Sequence, residues 1–232
     1  MADVMTYRLP PTALMPNSPF PLLHYKRFLA QDDQSASPNA IAAQANDLLN
    51  SNGWQTHWIY RYGPTQRAHY HSRSHECMIV LCGSATIRFG VADTDDDSDD
   101  LEASTHGDAR EDGGIEVQAG AGDVFVLPAG LAHKTFDTVP EAEFALVTPG
   151  KGHGVEVADE VVGDPGQVKR IPEGLRLDGF CMLGAYPIVG GDWDFAKGGQ
   201  DVGAYEKVWA VEKPARDPVL GESSEGTVGV WR

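Results

Sequence analysis

Four side chains in this sequence have the types and spacing to hold a transition metal. His69, Tyr70 and His71 read His-Tyr-His, and Glu76 follows five residues after His71. Successive side chains of an extended segment point to opposite faces, so His69 and His71 share one face. The polar stretch Ser72 to His75 can turn the chain so that Glu76 returns alongside them. A second stretch, GDVFVLPAGLAHKTFD from Gly122, carries a strand, a Pro128-Ala129-Gly130 turn and then His133. Proline fixes φ and glycine tolerates positive φ, so the turn is sharp and sends His133 back towards the sheet face. Three imidazoles and one carboxylate suit a divalent transition metal, and on a six-coordinate ion they leave positions open for water, dioxygen or substrate.

The neighbours of these four follow from parity. His75 is the competing donor, and alternation sends it to the face opposite Glu76. Arg67 shares the face of His69 and His71, as a cation at the pocket wall or in a salt bridge at its mouth. Thr135 and Asp137 share the face of His133, where Asp137 is placed to orient a ligand imidazole. Met78, Val80 and Cys82 continue the face of Glu76 as an apolar floor. Tyr186, Asp192, Trp193 and Asp194 either cover a substrate or cap the core.

The elements that must position these groups are mostly strands. Aromatic and β-branched residues mark Trp54 to Tyr62, and Cys77 to Cys82 is a short apolar run of the kind a buried strand shows. Further strands are expected at Leu22 to Leu29, from Ser84, from Gly114, at Glu143 to Val147 and at Gly179 to Tyr186. One helix is expected after Ser37-Pro38, because Ile41, Ala45, Leu48 and Leu49 recur at helical spacing and Asn52-Gly53 offers a stop. Val202 to Val211 reads as a short helix or turn, and Trp231 is expected to tuck against the domain. The tract from Asp93 to Asp112 holds ten acids and one arginine, a net −9, and reads as a mobile loop that could be deleted.

The chain has 232 residues, 41% of them hydrophobic, enough for one large all-β domain with extensions and a buried core, or at most two small domains. Its formal charge of −16 argues against a nucleic-acid partner, since phosphates would be repelled. No apolar run approaches a bilayer span and no leader pattern opens the sequence, so no membrane partner is expected. Cys77, Cys82 and Cys181 are few, odd in number and set in apolar runs, which points to free thiols in a reducing, cytoplasmic compartment.

The two stretches together resemble the paired signatures of the cupin superfamily. Gly63, His69, His71, Glu76 and Gly83 match the first signature, and Gly122, Pro128, Gly130 and His133 match the second, with Asp137 where the family usually has Asn. With the downstream words GAYP and DWD, residues 20 to 232 resemble a narrower group, the YjlB-type single-domain cupins. The resemblance implies a single jelly-roll β-barrel with an N-terminal helix and a C-terminal extension. It divides the chain into an arm and helix over 1–53, a barrel core over 54–150 with an acidic loop at 93–112, and an extension over 151–232. It implies metal ligation by His69, His71, Glu76 and His133, with iron or manganese favoured over nickel, zinc, cobalt or copper. A metal-dependent, dioxygenase-like oxidoreductase acting on a small organic molecule is the leading expectation. The alternatives are a metal-dependent isomerase or decarboxylase, and a non-enzymatic ligand-binding or sensing protein with a structural metal. A homodimer joined through sheet edges is also expected, since pairing covers exposed edges.

Overall fold

The computed structural model describes residues 4–30, 36–95, 100–156 and 170–232. Strands β1 (Val4–Tyr7) and β2 (Leu22–Tyr25) come first, followed by helix α1 (Pro38–Ser51), β3 (Trp54–Tyr62), β4 (Glu76–Cys82) and β5 (Ser84–Phe89). A one-turn helix α2 (Glu102–Thr105) precedes β6 (Ile115–Gly120), β7 (Val124–Leu127), β8 (His133–Val139) and β9 (Ala145–Leu146). The chain closes with β10 (Phe180–Pro187) and the short helices α3 (Tyr205–Trp209) and α4 (Thr227–Val230). All pairings are antiparallel, in a seven-stranded sheet ordered β1-β2-β7-β4-β10-β3-β9 and a three-stranded sheet ordered β6-β5-β8. Strand β10, far along the chain, lies between β4 and β3 in the middle of the larger sheet. Among the described residues, no helix is long and apolar enough to cross a membrane.

The unbroken apolar run of β4 arises because both faces of the larger sheet are covered. Met78 and Val80 pack between the sheets with Phe89, Phe125 and Met182. Cys77, Ile79 and Leu81 face the other way, onto Ile41, Ala45 and Leu49 of α1 and onto Trp231. Met78 and Val80 thus face inward between the sheets as alternation implies, but Cys82 packs with the outer cluster. Pairing of β4 with β10 slips there, from Cys82 opposite Cys181 to Val80 opposite Met182, and the bulge reverses the parity.

Helix α1 starts where its cap requires. Ser37 is extended and its Oγ accepts from the Ala40 amide at 3.2 Å, with Pro38 at the first helical position. Ser37→Ala is expected to cost about 1 kcal/mol, read as a lowered midpoint in urea with an unchanged slope.

The acidic tract differs from its expected character. Residues 96–99 lie outside the described residues; those on either side are built into the domain. Asp93 bridges to Arg110, and residues 102–105 form α2. Buried Arg88 donates to the carbonyls of Ser104 and Thr105 at 2.9 and 2.7 Å, and Arg67 pairs with Asp95 at 2.7 Å. Counting like charges within the tract misleads, because the compensating cations come from the barrel wall. The described parts of the tract thus pack against that wall.

Candidate metal centre

The His69–His71 segment is held from both sides. His69 and His133 exchange backbone hydrogen bonds of 3.1 and 2.8 Å, and Tyr70 exchanges two of 2.9 Å with Ala196. Tyr70 therefore points away from its flanking histidines, and its hydroxyl donates to Asp201 at 2.6 Å. Behind His133, the turn closes with Leu131 N–H on the Pro128 carbonyl at 3.1 Å. Gly130 sits at φ +88°, and a Cβ there would lie 2.5 Å from the Asn17 carbonyl oxygen. Only glycine fits both the angle and the space.

The ligand atoms of His69, His71 and His133 lie within 4.8 Å of one another, and all three residues are buried. Glu76 reaches them from the start of β4, with Oε1 3.2 Å from His71 Nε2 and Oε2 3.4 Å from His133 Nε2. Each imidazole turns its other nitrogen to a backbone carbonyl. His69 Nδ1 lies 3.1 Å from the Arg67 oxygen, His133 Nδ1 lies 3.2 Å from that of Leu131, and His71 Nδ1 bonds to that of Asp194. A carbonyl only accepts, so each Nδ1 carries its proton and each neutral ring presents a bare Nε2 lone pair. Glu76 Oε2 is buried without a hydrogen-bond partner among the described residues. An unpaired carboxylate oxygen amid imidazole lone pairs is costly unless a cation sits there, and the donor set fits a divalent transition metal.

The charges agree with that fit. Burial pushes Glu76 upward, but His71, His133 and the Tyr186 hydroxyl outweigh it and bring its pKa to about 2. Burial lowers His69 well below its usual value, assisted by the two other imidazoles, and brings His133 to about 4 against the pull of Glu76. Burial also lowers His71, yet Glu76 and the Asp194 carbonyl more than offset it, so His71 is raised.

Several groups lie elsewhere than parity implies, or do more than their sequence shows. Asp137 is exposed, at φ +53°, and pairs with His106 at 3.3 Å; backbone carbonyls orient the imidazoles instead. The register of β5 against β8 slips near Phe136 to Val139, which turns Asp137 outward. Arg67 faces Asp95 and leaves the pocket wall without a cation. The segment around Trp193 contributes directly to the site. Asp194 accepts from the Ser72 amide and hydroxyl at 2.8 and 2.7 Å, fixing the loop next to His71. Tyr186 donates to Glu76 Oε1 at 2.5 Å and accepts from Trp58 Nε1 at 3.2 Å. Phe195 stacks on His69 with ring centroids 4.0 Å apart. The signal available was the period-two spacing of Trp58, Tyr60 and Tyr62, and of Trp193 and Phe195.

His75 points to the opposite face. Its Nδ1 accepts from the Ala129 amide at 2.9 Å, and its Nε2 lies 3.2 Å from the Glu212 carbonyl oxygen, so the ring is neutral. Burial lowers its pKa from 6.5 to about 4. The unfolded chain takes up this proton below about pH 6.5 and the folded chain only below about pH 4. Stability from this group is complete above pH 6.5 and declines as pH falls towards 4, by about 3 kcal/mol in total. Urea unfolding at pH 7 and pH 5 should show a smaller pH dependence in His75→Gln than in wild type.

The sequence profile of the family described as Cupin matches residues 44–175, more than half of the chain. The chain belongs to the cupin family. Over 233 aligned residues this cupin is 24% identical to the uncharacterized protein YjlB of Bacillus subtilis (strain 168), covering 99% of this chain and 97% of that one. Among solved structures it is similar to vicilin from Solanum lycopersicum (tomato), with a TM-score of 0.32 and 11% identity over 81% of this chain and 32% of that one. It is also similar to a single-substitution variant of oxalate decarboxylase from Bacillus subtilis, with a TM-score of 0.31 and 12% identity over 82% of this chain and 31% of that one. The cupin spans about a third of the length of those two solved chains. Fold leaves the chemistry open, so function rests on the site.

Proposed function

We propose that this cupin is a metal-dependent enzyme, a dioxygenase-like oxidoreductase acting on a small organic molecule, with His69, His71, Glu76 and His133 holding one divalent ion. Iron or manganese suits the reading best, with nickel, zinc, cobalt or copper also compatible with the donors. The observation that carries the metal reading is the set of three imidazoles with Nδ1 tied to backbone carbonyls and Nε2 turned towards one carboxylate. When bound, the ion supplies Lewis-acid and redox chemistry.

The remaining work falls to the chain. Glu76 supplies the single negative charge among the four groups, so a divalent ion keeps net positive charge towards the open side. A cavity of about 120 Å³ lies on that side, bordered by the four groups and by aromatic rings. The rings exclude water and hold the organic molecule, while Tyr186 fixes the orientation of Glu76 through its hydrogen bond. We read the chain as one barrel with its arm and extension, with the cytoplasm as compartment, supported by three free cysteines, and a homodimer through sheet edges as the assembly.

The test is metal analysis of the purified chain combined with oxygen consumption across small carboxylates and phenols. Substrate-dependent uptake that disappears in His133→Ala supports the enzyme; full metal content without uptake on any substrate contradicts it. Protons compete with metal at His71, whose pKa is raised above 6.5. Metal retention should therefore fall as the pH is lowered, read by dialysis at stepped pH followed by metal analysis. Retention unchanged down to pH 5 would contradict this.

A further inference from the structure

The geometry points to an uncharged, single-ring aromatic molecule with an oxygen donor, a phenol in the simplest case, as the ligand of this cavity. The inference rests on reading the cavity beside the four polar groups as the substrate site and names the class of molecule it takes. Its walls are flat rings. Trp193 lies between His153 and Tyr186, tilted by only 10° and 9° from them at centroid distances of 4.4 and 5.5 Å. Elsewhere on the lining Phe144 stacks on Tyr60 at 5.0 Å with a 20° tilt, and Phe195 covers His69 with a 13° tilt. Apart from His153, these rings line the cavity as an aromatic slot and offer a planar molecule faces and edges to pack against.

Two further observations narrow the class. Among the described residues no lysine or arginine lines the cavity; apart from the imidazoles and Glu76, its lining is aromatic rings and the neutral amide of Gln66. A small carboxylate entering there would find no side-chain cation to pair with and would lose its hydration to ring faces. A phenol enters neutral, places its oxygen towards the open side of the four groups and buries its ring. Size agrees: about 120 Å³ compares with the roughly 150 Å³ apolar cavity known to take up benzene in another protein. The rim also exposes apolar surface that such a ring would cover, since Phe144 and Phe195 are 60% and 50% exposed.

The experiment is calorimetric titration of the metal-loaded full chain with phenol and with propionate, with metal content and circular dichroism measured on the same samples. Phenol is expected to bind at least about tenfold more tightly than propionate. Phe144→Ala and Trp193→Leu should each weaken phenol about fivefold, the scale of one lost aromatic contact, with metal content unchanged. Phe144 sits at the exposed rim, so its truncation leaves the folded core intact. Propionate binding as tightly as phenol, or phenol affinity unmoved in both variants, overturns the inference. Phenol binding that depends on Trp193 in a chain that takes up no metal would support the aromatic slot and remove the metal reading. A metal-replete chain that does not bind phenol would overturn the slot and leave the metal reading standing.

Discussion

Glu76→Gln is expected to fold and to bind a divalent ion at least about 100-fold more weakly than wild type. The substitution keeps the shape but removes the single negative charge among the four groups. It leaves an amide that competes poorly as a ligand and places an N–H₂ donor amid imidazole lone pairs. Glu76 stays ionised at any pH where the protein is handled, its pKa being about 2, so wild type always presents that charge. The expected readout is a competition titration against a chelator, with circular dichroism showing an unchanged fold. Equal affinities in the two proteins would remove Glu76 from the ligand set. His75 would not replace it, because its ring lies on the far face, tied to Ala129 and Glu212.

The second large effect concerns Asp93, at the start of the acidic tract. Its Oδ1 accepts from the buried Lys134 ammonium at 3.1 Å, and its Oδ2 accepts from the Ala68 amide at 2.8 Å. Those two partners immediately adjoin His133 and His69, so one carboxylate anchors both sides of the backbone bridge that sets the two imidazoles. Lys134 is 1% exposed at its side chain, and beyond Asp93 it donates to the Ser104 hydroxyl at 3.1 Å. Breaking a buried pair from one side leaves an uncompensated charge, and Asp93→Ala is expected to lose about 3–5 kcal/mol of unfolding free energy. The exposed Asp108 serves as the comparison: Asp108→Ala should stay within about 0.5 kcal/mol of wild type by urea unfolding. Similar losses in the two variants would show that the tract acts only through its overall charge.

The grouping of the three histidines was readable because their positions are set by local rules. Parity put His69 and His71 on one face, and a Pro-x-Gly turn returned His133 to them. Helix α1 was readable for the same reason, its cap, proline and apolar spacing lying within a few residues of one another. What escaped depended on distant partners or on bulges. Trp193 and Asp194 were named from the sequence, but Phe195 was not, and their meeting with His71, Ser72 and His69 spans more than 120 residues. Asp137 and Cys82 were assigned by strict alternation, and in both cases a register slip reversed the face. The acidic tract was misread because its partners belong to other segments: Arg67 and Lys134 meet its carboxylates, and Arg88 meets its backbone carbonyls. A run of like charges is mobile only when nothing of opposite sign is built to receive it.

The most direct test of the metal centre is calorimetric titration of chelator-stripped protein with manganese(II) at neutral pH, on wild type and on the His71→Ala/His133→Ala double variant. The account predicts about one site per chain in wild type and no measurable binding in the double variant, with circular dichroism showing that both are folded. Binding by the double variant with wild-type stoichiometry and affinity would contradict it.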